Sequence, residues 1–392
     1  MSLQLRVVHR RMTPFDFHLP TRVVFGAGRL PEVGSIARTL GDVSRALVVS
    51  DPGVVAAGHA QRGVESLNAA GFATCLFDGL QENPTTDHVE SGLKLAQGFM
   101  PDIIVGLGGG SSMDCAKGIN FLYCCGGRMH DYWGVGKATG PLLPMIAVPT
   151  TAGTGGEAQS FALISDASSH VKMACGDKRA AFRVAILDPE LTLTQPARVA
   201  ALTGFDALAH AVETAVTAAR TPLSQTFSRE AWRRLAPHYQ RVLSEPDDLG
   251  ARAEMQLGAC FAGLAIENSM LGAGHALANP LTATFGVAHG EAVALMLPHV
   301  VRRNDAVANA AYRELAEVFP GLGRSARGGP AIADFLAESA AAAGLAVRLR
   351  DCGVDKAALT KLAHDATNQW TGTFNPISLT ADDYLSLYEA AY

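Results

Sequence analysis

The chain has 392 residues, of which 18% are charged and 48% apolar, a low charge density beside the roughly one quarter usual in soluble proteins. Such a composition excludes general disorder, and the length allows two or three domains. With a formal net charge of −5 there is no basic surplus to neutralise a phosphate backbone, so neither nucleic acid nor a membrane is expected as a partner.

The opening stretch MSLQLRVVHRRM carries charges where a secretory leader would be apolar, and no run of about 18 apolar residues occurs anywhere. A soluble, cytoplasmic protein is expected. The basic cluster Arg6, His9, Arg10 and Arg11 reads as solvated surface. The seven cysteines are odd in number and show no C-x-x-C spacing, so reduced thiols are expected.

From 22 to about 189, β-rich runs alternate with helical stretches. RVVF (22–25), ALVVSD (46–51), ATCLFD (73–78), DIIVGLGGG (102–110), LPMIAVPTT (143–151) and RVAILD (183–188) are apolar on both faces and read as buried strands. Segments 54–70 and 87–99 read as helices. This alternation predicts a Rossmann-like α/β domain with a parallel sheet. Beyond Pro196 the 3.6-residue pattern runs through 197–219, 253–278 and 290–301 with no convincing strand. The expected division is an α/β domain over 1–194 and an all-helical domain over 195–392.

Within the first half, Gly108, Gly109 and Gly110, then Ser111 and Ser112, separate a strand from a helix expected to begin near Asp114. Glycines let a phosphate approach the backbone, and the first helical turn offers free N–H groups. A tight strand-to-helix turn would also use glycine. A second loop, PTTAGTGGE (149–157), presents Thr150, Thr151 and Thr154 at the end of a neighbouring strand, where open α/β sheets bind ligands. Asp51 ends an earlier strand; it suits a ribose hydroxyl and repels a 2′-phosphate, but it also suits an Asx turn before Pro52.

In the second half, Asp206 and His210 stand four apart on an apolar helical face, so both point the same way. A divalent cation would satisfy them, as would a buried ion pair. His275, read as near the end of a glycine- and alanine-rich helix, and His289, at the start of the next, could join them if the Asn279–Pro280 break and the loop to Gly286 reverse the chain. One carboxylate and three imidazoles suit Fe²⁺ or Zn²⁺. His59, His88, His130, His170, His238, His299 and His364 read as ordinary surface or core residues.

The motifs PTRVVFGAG, GGGSSMDCAKG, PTTAGTGGEA, TGFDALAHAVE and GHALANPLTATFGVAHGEAVALMLPHV, with FNPISLT near the end, resemble those of the iron-containing (group III) alcohol dehydrogenases, in order and over nearly the whole chain. The resemblance implies reversible oxidation of a small alcohol to an aldehyde or ketone in a cleft that holds NAD(P) and one divalent metal. It implies Asp206, His210, His275 and His289 as catalytic metal ligands, and Asp51, Gly108 to Asp114, Thr150, Thr151, Thr154 and Lys172 as cofactor contacts, with Asn83 and Pro84 nearby. A homodimer pairing through FHLPTRVVF is also implied. Asp51 favours NAD over NADP.

Two departures stand out. Asn279 occupies a place where many relatives have a histidine, so no imidazole relay is available there, and Gly156 replaces a serine. A maleylacetate-reductase-like enzyme, a dehydroquinate-synthase-like lyase and a non-catalytic homologue remain alternatives at this point. Phe161, Tyr132 and Trp370 are candidate pocket aromatics that equally suit the core.

Overall fold

The computed structural model describes residues 14–169, 171–322 and 328–392. The basic cluster at 6–11 and His170 lie outside them. The strands run in chain order as β1 (Arg22–Phe25), β2 (Arg45–Val49), β3 (Ala73–Phe77), β4 (Ile103–Gly108), and, after the two-residue β5 (Gly134–Val135), β6 (Met145–Pro149). Next come β7 (Phe161–Ser165), β8 (Lys172–Gly176) and β9 (Val184–Leu187). The helices of this half are α1 (Val33–Arg38), α2 (Pro52–Ala56), α3 (His59–Ala69), α4 (Thr86–Phe99) and α5 (Gly110–Cys125).

Six strands pair in the order β1-β9-β6-β4-β2-β3, every pair parallel. The chain leaves β2 toward one side of the sheet and β4 toward the other, so the switch point lies between them. A crevice opens there at the carboxyl ends of the strands. The loops after β2, β4 and β6, which carry Asp51, Gly109 and Thr150, therefore meet at one edge.

Five expectations need correction. First, the two edge strands are not buried runs: Val23 and Phe25 of β1 are 37% and 39% exposed, and Phe77 is the one buried residue of β3, because each strand has a neighbour on one side only. Second, the helix read over 54–70 is two, parted at Gly58, whose φ of +81° suits glycine. Third, α5 begins at Gly110 rather than near Asp114, so the serines lie inside its first turn. Fourth, β7 and β8 form an antiparallel pair with β5 alongside β8, a small sheet that the sequence reading passed over.

The fifth correction concerns the second half, built from α6 (Ala197–Val216), α7 (Pro222–Ser244), α8 (Leu249–Glu267), α9 (Ala273–Phe285), α10 (His289–Val318), α11 (Gly329–Ala342), α12 (Leu359–Thr367) and α13 (Ala381–Ala391). No strand occurs there among the described residues. The stretch read as one helix over 253–278 breaks into α8 and α9. His275 thus sits in the first turn of its own helix, and Pro280 lies inside that helix. The helix ends at Gly286, the far end of the expected reversal, rather than at Pro280.

One apolar cluster fills the helical half, and two others cover the faces of the main sheet. Among the described residues α6 is the one helix long and apolar enough to cross a membrane, yet 83% of that stretch is buried inside the protein. Its apolar residues belong to the cluster that fills the helical half.

Candidate active site

A cleft of about 690 Å³ runs between the carboxyl edge of the main sheet and the helices. At its sheet end α5 follows β4 directly, and no side chain caps it, so its first N–H groups are open to an anion. Gly109, Gly110, Ser111 and Asp114 line this end, as do Thr150, Thr151 and Thr154 of the second loop. Asn83, Pro84 and Lys172 complete it. Gly108 and Ser112 stand behind the wall instead. A Cβ on Gly108 would fall 3.1 Å from Asp51 Oδ2, and the Ser112 hydroxyl donates to that same oxygen at 3.3 Å.

Asp51 caps a helix and also faces the cleft. Its Oδ1 accepts the Val54 N–H at 3.0 Å as the cap of α2, while the residue itself lines the cleft. The glycines also serve tight packing: a Cβ on Gly110 would lie 2.7 Å from Thr154. Beneath the loops, the buried Lys117 ammonium donates to the carbonyls of Gly156 and Phe161 at 2.8 Å each. Burial pushes the carboxyls of Asp114 and Glu157 up to about 6 and about 7, despite nearby lysines.

At the helical end, α6 carries Asp206 and His210 on adjacent turns, α9 brings His275 and α10 begins with His289. Ligand atoms of Asp206, His210 and His275 lie within 4.8 Å of one another. Asp206 Oδ1 is 3.4 Å from His210 Nε2, 3.3 Å from His275 Nε2 and 3.7 Å from His289 Nε2. A charge-assisted hydrogen bond would be about 2.8 Å long. Asp206 Oδ1 and His275 Nε2 are buried with no hydrogen-bond partner.

Three imidazole nitrogens face one carboxylate oxygen at distances longer than a charge-assisted hydrogen bond, an arrangement that fits a cation at their centre. Protonation agrees. Burial works against ionisation of Asp206, but His210, His275 and His289 hold it well below the usual carboxylate range. Burial lowers His210 and pushes His289 down to about 3, leaving neutral rings with free lone pairs. His275 is the exception. Burial opposes its charge, yet Glu213 and Asp206 raise it to about 9.

Glu213 was missed in the sequence although its signal was present. It lies three residues beyond His210 on the same apolar face of α6, and its Oε2 is 2.5 Å from His275 Nδ1. His59, read as ordinary, lines the cleft with Nε2 2.7 Å from Thr194 Oγ1. Asn279 turns away and donates to Gln369 at 3.0 Å. Of the candidate aromatics, Phe161 lines the cleft and Trp370 packs on it at 5.8 Å. Tyr132 is buried against Phe121.

Comparison with known proteins agrees with this geometry over both halves. Residues 20–189 match the iron-containing alcohol dehydrogenase family, and residues 200–392 match the C-terminal region of the Fe-containing alcohol dehydrogenase family. Alcohol dehydrogenase 4 of Schizosaccharomyces pombe is 33% identical over 96% of this chain and 88% of its own length. The NAD-dependent methanol dehydrogenase of Bacillus methanolicus is 32% identical over 77% of this chain and 79% of its own. Among solved structures, a 1,3-propanediol oxidoreductase superposes with a TM-score of 0.93 at 30% identity, covering 97% of this chain and all of that one. By sequence in both halves and by fold throughout, the chain belongs to the iron-containing alcohol dehydrogenases.

Proposed function

We propose that this alcohol oxidoreductase transfers hydride between a small primary alcohol, or its aldehyde, and NAD, at a divalent cation held by Asp206, His210, His275 and His289. The observation that carries the reading is the orphaned Asp206 Oδ1, faced by three imidazole nitrogens inside the cleft that the two glycine loops also line. When bound, the cation, Fe²⁺ or Zn²⁺, supplies Lewis acidity that lowers the pKa of an alcohol, and NAD supplies the hydride acceptor.

The remaining work falls to the chain. The first turn of α5 and the threonines of the second loop receive the pyrophosphate, and Asp51 accepts from a ribose hydroxyl while repelling a 2′-phosphate. Phe161, Leu163 and Ile266 line the cleft with apolar surface that excludes water from the reacting carbon. With Asn279 tied to Gln369, the alcohol proton departs through water or the ribose hydroxyls. A lyase acting on a phosphorylated substrate would want a basic pocket. Among the described residues lining the cleft, Lys172 is the one lysine or arginine.

The reading includes a division into an α/β domain over 1–194 and a helical domain over 195–392, supported by the end of β9 at Leu187 and the start of α6 at Ala197. It also includes a homodimer paired through the open edge of β1, supported by the exposed Val23 and Phe25. A cytoplasmic location is supported by seven free cysteines. Metal analysis together with NADH release on primary alcohols, diols and hydroxy acids tests the catalytic reading. Turnover by metal-free protein, or no redox signal from metal-loaded protein, would overturn it.

A further inference from the structure

Glu213 is buried, with 4% of its side chain exposed, and no lysine or arginine pairs with it among the described salt bridges. A carboxylate in such a place is costly unless hydrogen bonds replace its water. Both bonds come from consecutive residues of one turn. Oε1 accepts the Gly274 N–H at 2.6 Å and Oε2 lies 2.5 Å from His275 Nδ1. The approach depends on bare backbone, because a Cβ on Gly274 would stand 2.9 Å from Oε1 and one on Gly272 3.1 Å.

An ionised carboxylate only accepts hydrogen bonds, so the proton on the neutral His275 ring must reside on Nδ1. Nε2 is then left as a lone pair, and it is this atom that faces Asp206 Oδ1 at 3.3 Å without a partner. On this basis we infer that Glu213 is the positioning residue of the cation site: it fixes the tautomer and orientation of His275 and raises the donor strength of Nε2. The inference rests on the metal-site reading above and deepens it. The same carboxylate pins the first turn of α9, so the helix that delivers His275 and the proton that prepares it are controlled by one side chain.

Glutamine cannot replace it. The Gly274 N–H and the His275 Nδ1–H each need an acceptor, and an amide offers one oxygen and one NH₂. In Glu213→Gln, either Gly274 loses its partner or His275 moves its proton to Nε2, where it blocks the cation.

The test uses Co²⁺ and Zn²⁺ alone as probes on apoprotein. Wild type must first bind Co²⁺; failure there removes the metal-site reading itself, and this inference with it. Given binding, Glu213→Gln is expected to weaken Co²⁺ affinity by about 10- to 100-fold and to shift the visible Co²⁺ spectrum, while binding NADH as wild type does. Affinity within twofold of wild type and an unchanged spectrum would overturn the inference. Should the variant fail to fold, ¹⁵N NMR of the Zn²⁺-loaded wild type decides. A protonated, hydrogen-bonded Nδ1 on His275 supports it, and an unprotonated Nδ1 refutes it.

Discussion

Gly155 and Gly263 meet backbone to backbone. A Cβ on Gly155 would lie 2.6 Å from Gly263 Cα, and one on Gly263 would lie 2.4 Å from the Gly155 carbonyl oxygen. Gly155 belongs to the second glycine loop and Gly263 to α8, so this contact seats the loop directly on the helical half. Gly263→Ala is expected to lower stability by about 1–3 kcal/mol and to weaken NADH binding, read by urea unfolding and fluorescence titration. Gly98→Ala, at a helical position with nothing within 4 Å, is the control and should stabilise by roughly 0.5–1 kcal/mol.

Asp51 offers a direct test of cofactor choice. Asparagine can still accept the Val54 N–H that caps α2, so Asp51→Asn removes charge and keeps the local fold. The NADP-to-NAD ratio of kcat/KM is expected to rise at least about tenfold, or roughly 1.4 kcal/mol. An unchanged ratio would mean that the carboxylate does not select the cofactor.

Burial raises the Glu157 carboxyl to about 7 and that of Asp114 to about 6. Unfolding returns both to ordinary acidity. Between about pH 4 and 7 the native protein holds protons that the unfolded chain has released, so these two groups lower stability as pH rises. Their favourable contribution is complete below the unfolded pKa and gone above the folded one. Glu157→Gln, which mimics the protonated form, should therefore gain on wild type in urea midpoint at pH 8 relative to pH 4.5. Equal differences at both values would show that Glu157 ionises freely in the fold.

The central strands β2, β4, β6 and β9 were legible because burial on both faces leaves an unbroken apolar run. Strand β7 was not, because its apolar run, FALI, spans four residues and its partner β8 starts at Lys172. Pro280 reads locally as a helix stop, yet α9 continues through it, held by packing on α10 and α12. In the site, Asp206 and His210 were legible together because one helix spaces them. The approach of His275 and His289 depends on how three helices pack, which no local pattern specifies. Glu213 shares the readable face of α6, but its partners lie in the first turn of α9, where the pattern of the sequence suggests the end of a longer helix.

The most direct test of the metal-site account is the metal content of purified wild type, Asp206→Ala and His275→Ala, measured beside NAD reduction by a primary alcohol. Wild type is expected to hold about one Fe²⁺ or Zn²⁺ per chain, and each variant to lose the metal and at least about 10³-fold in activity, on the order of 4 kcal/mol. A variant that retained full metal and full activity would contradict the assignment of these residues to the cation.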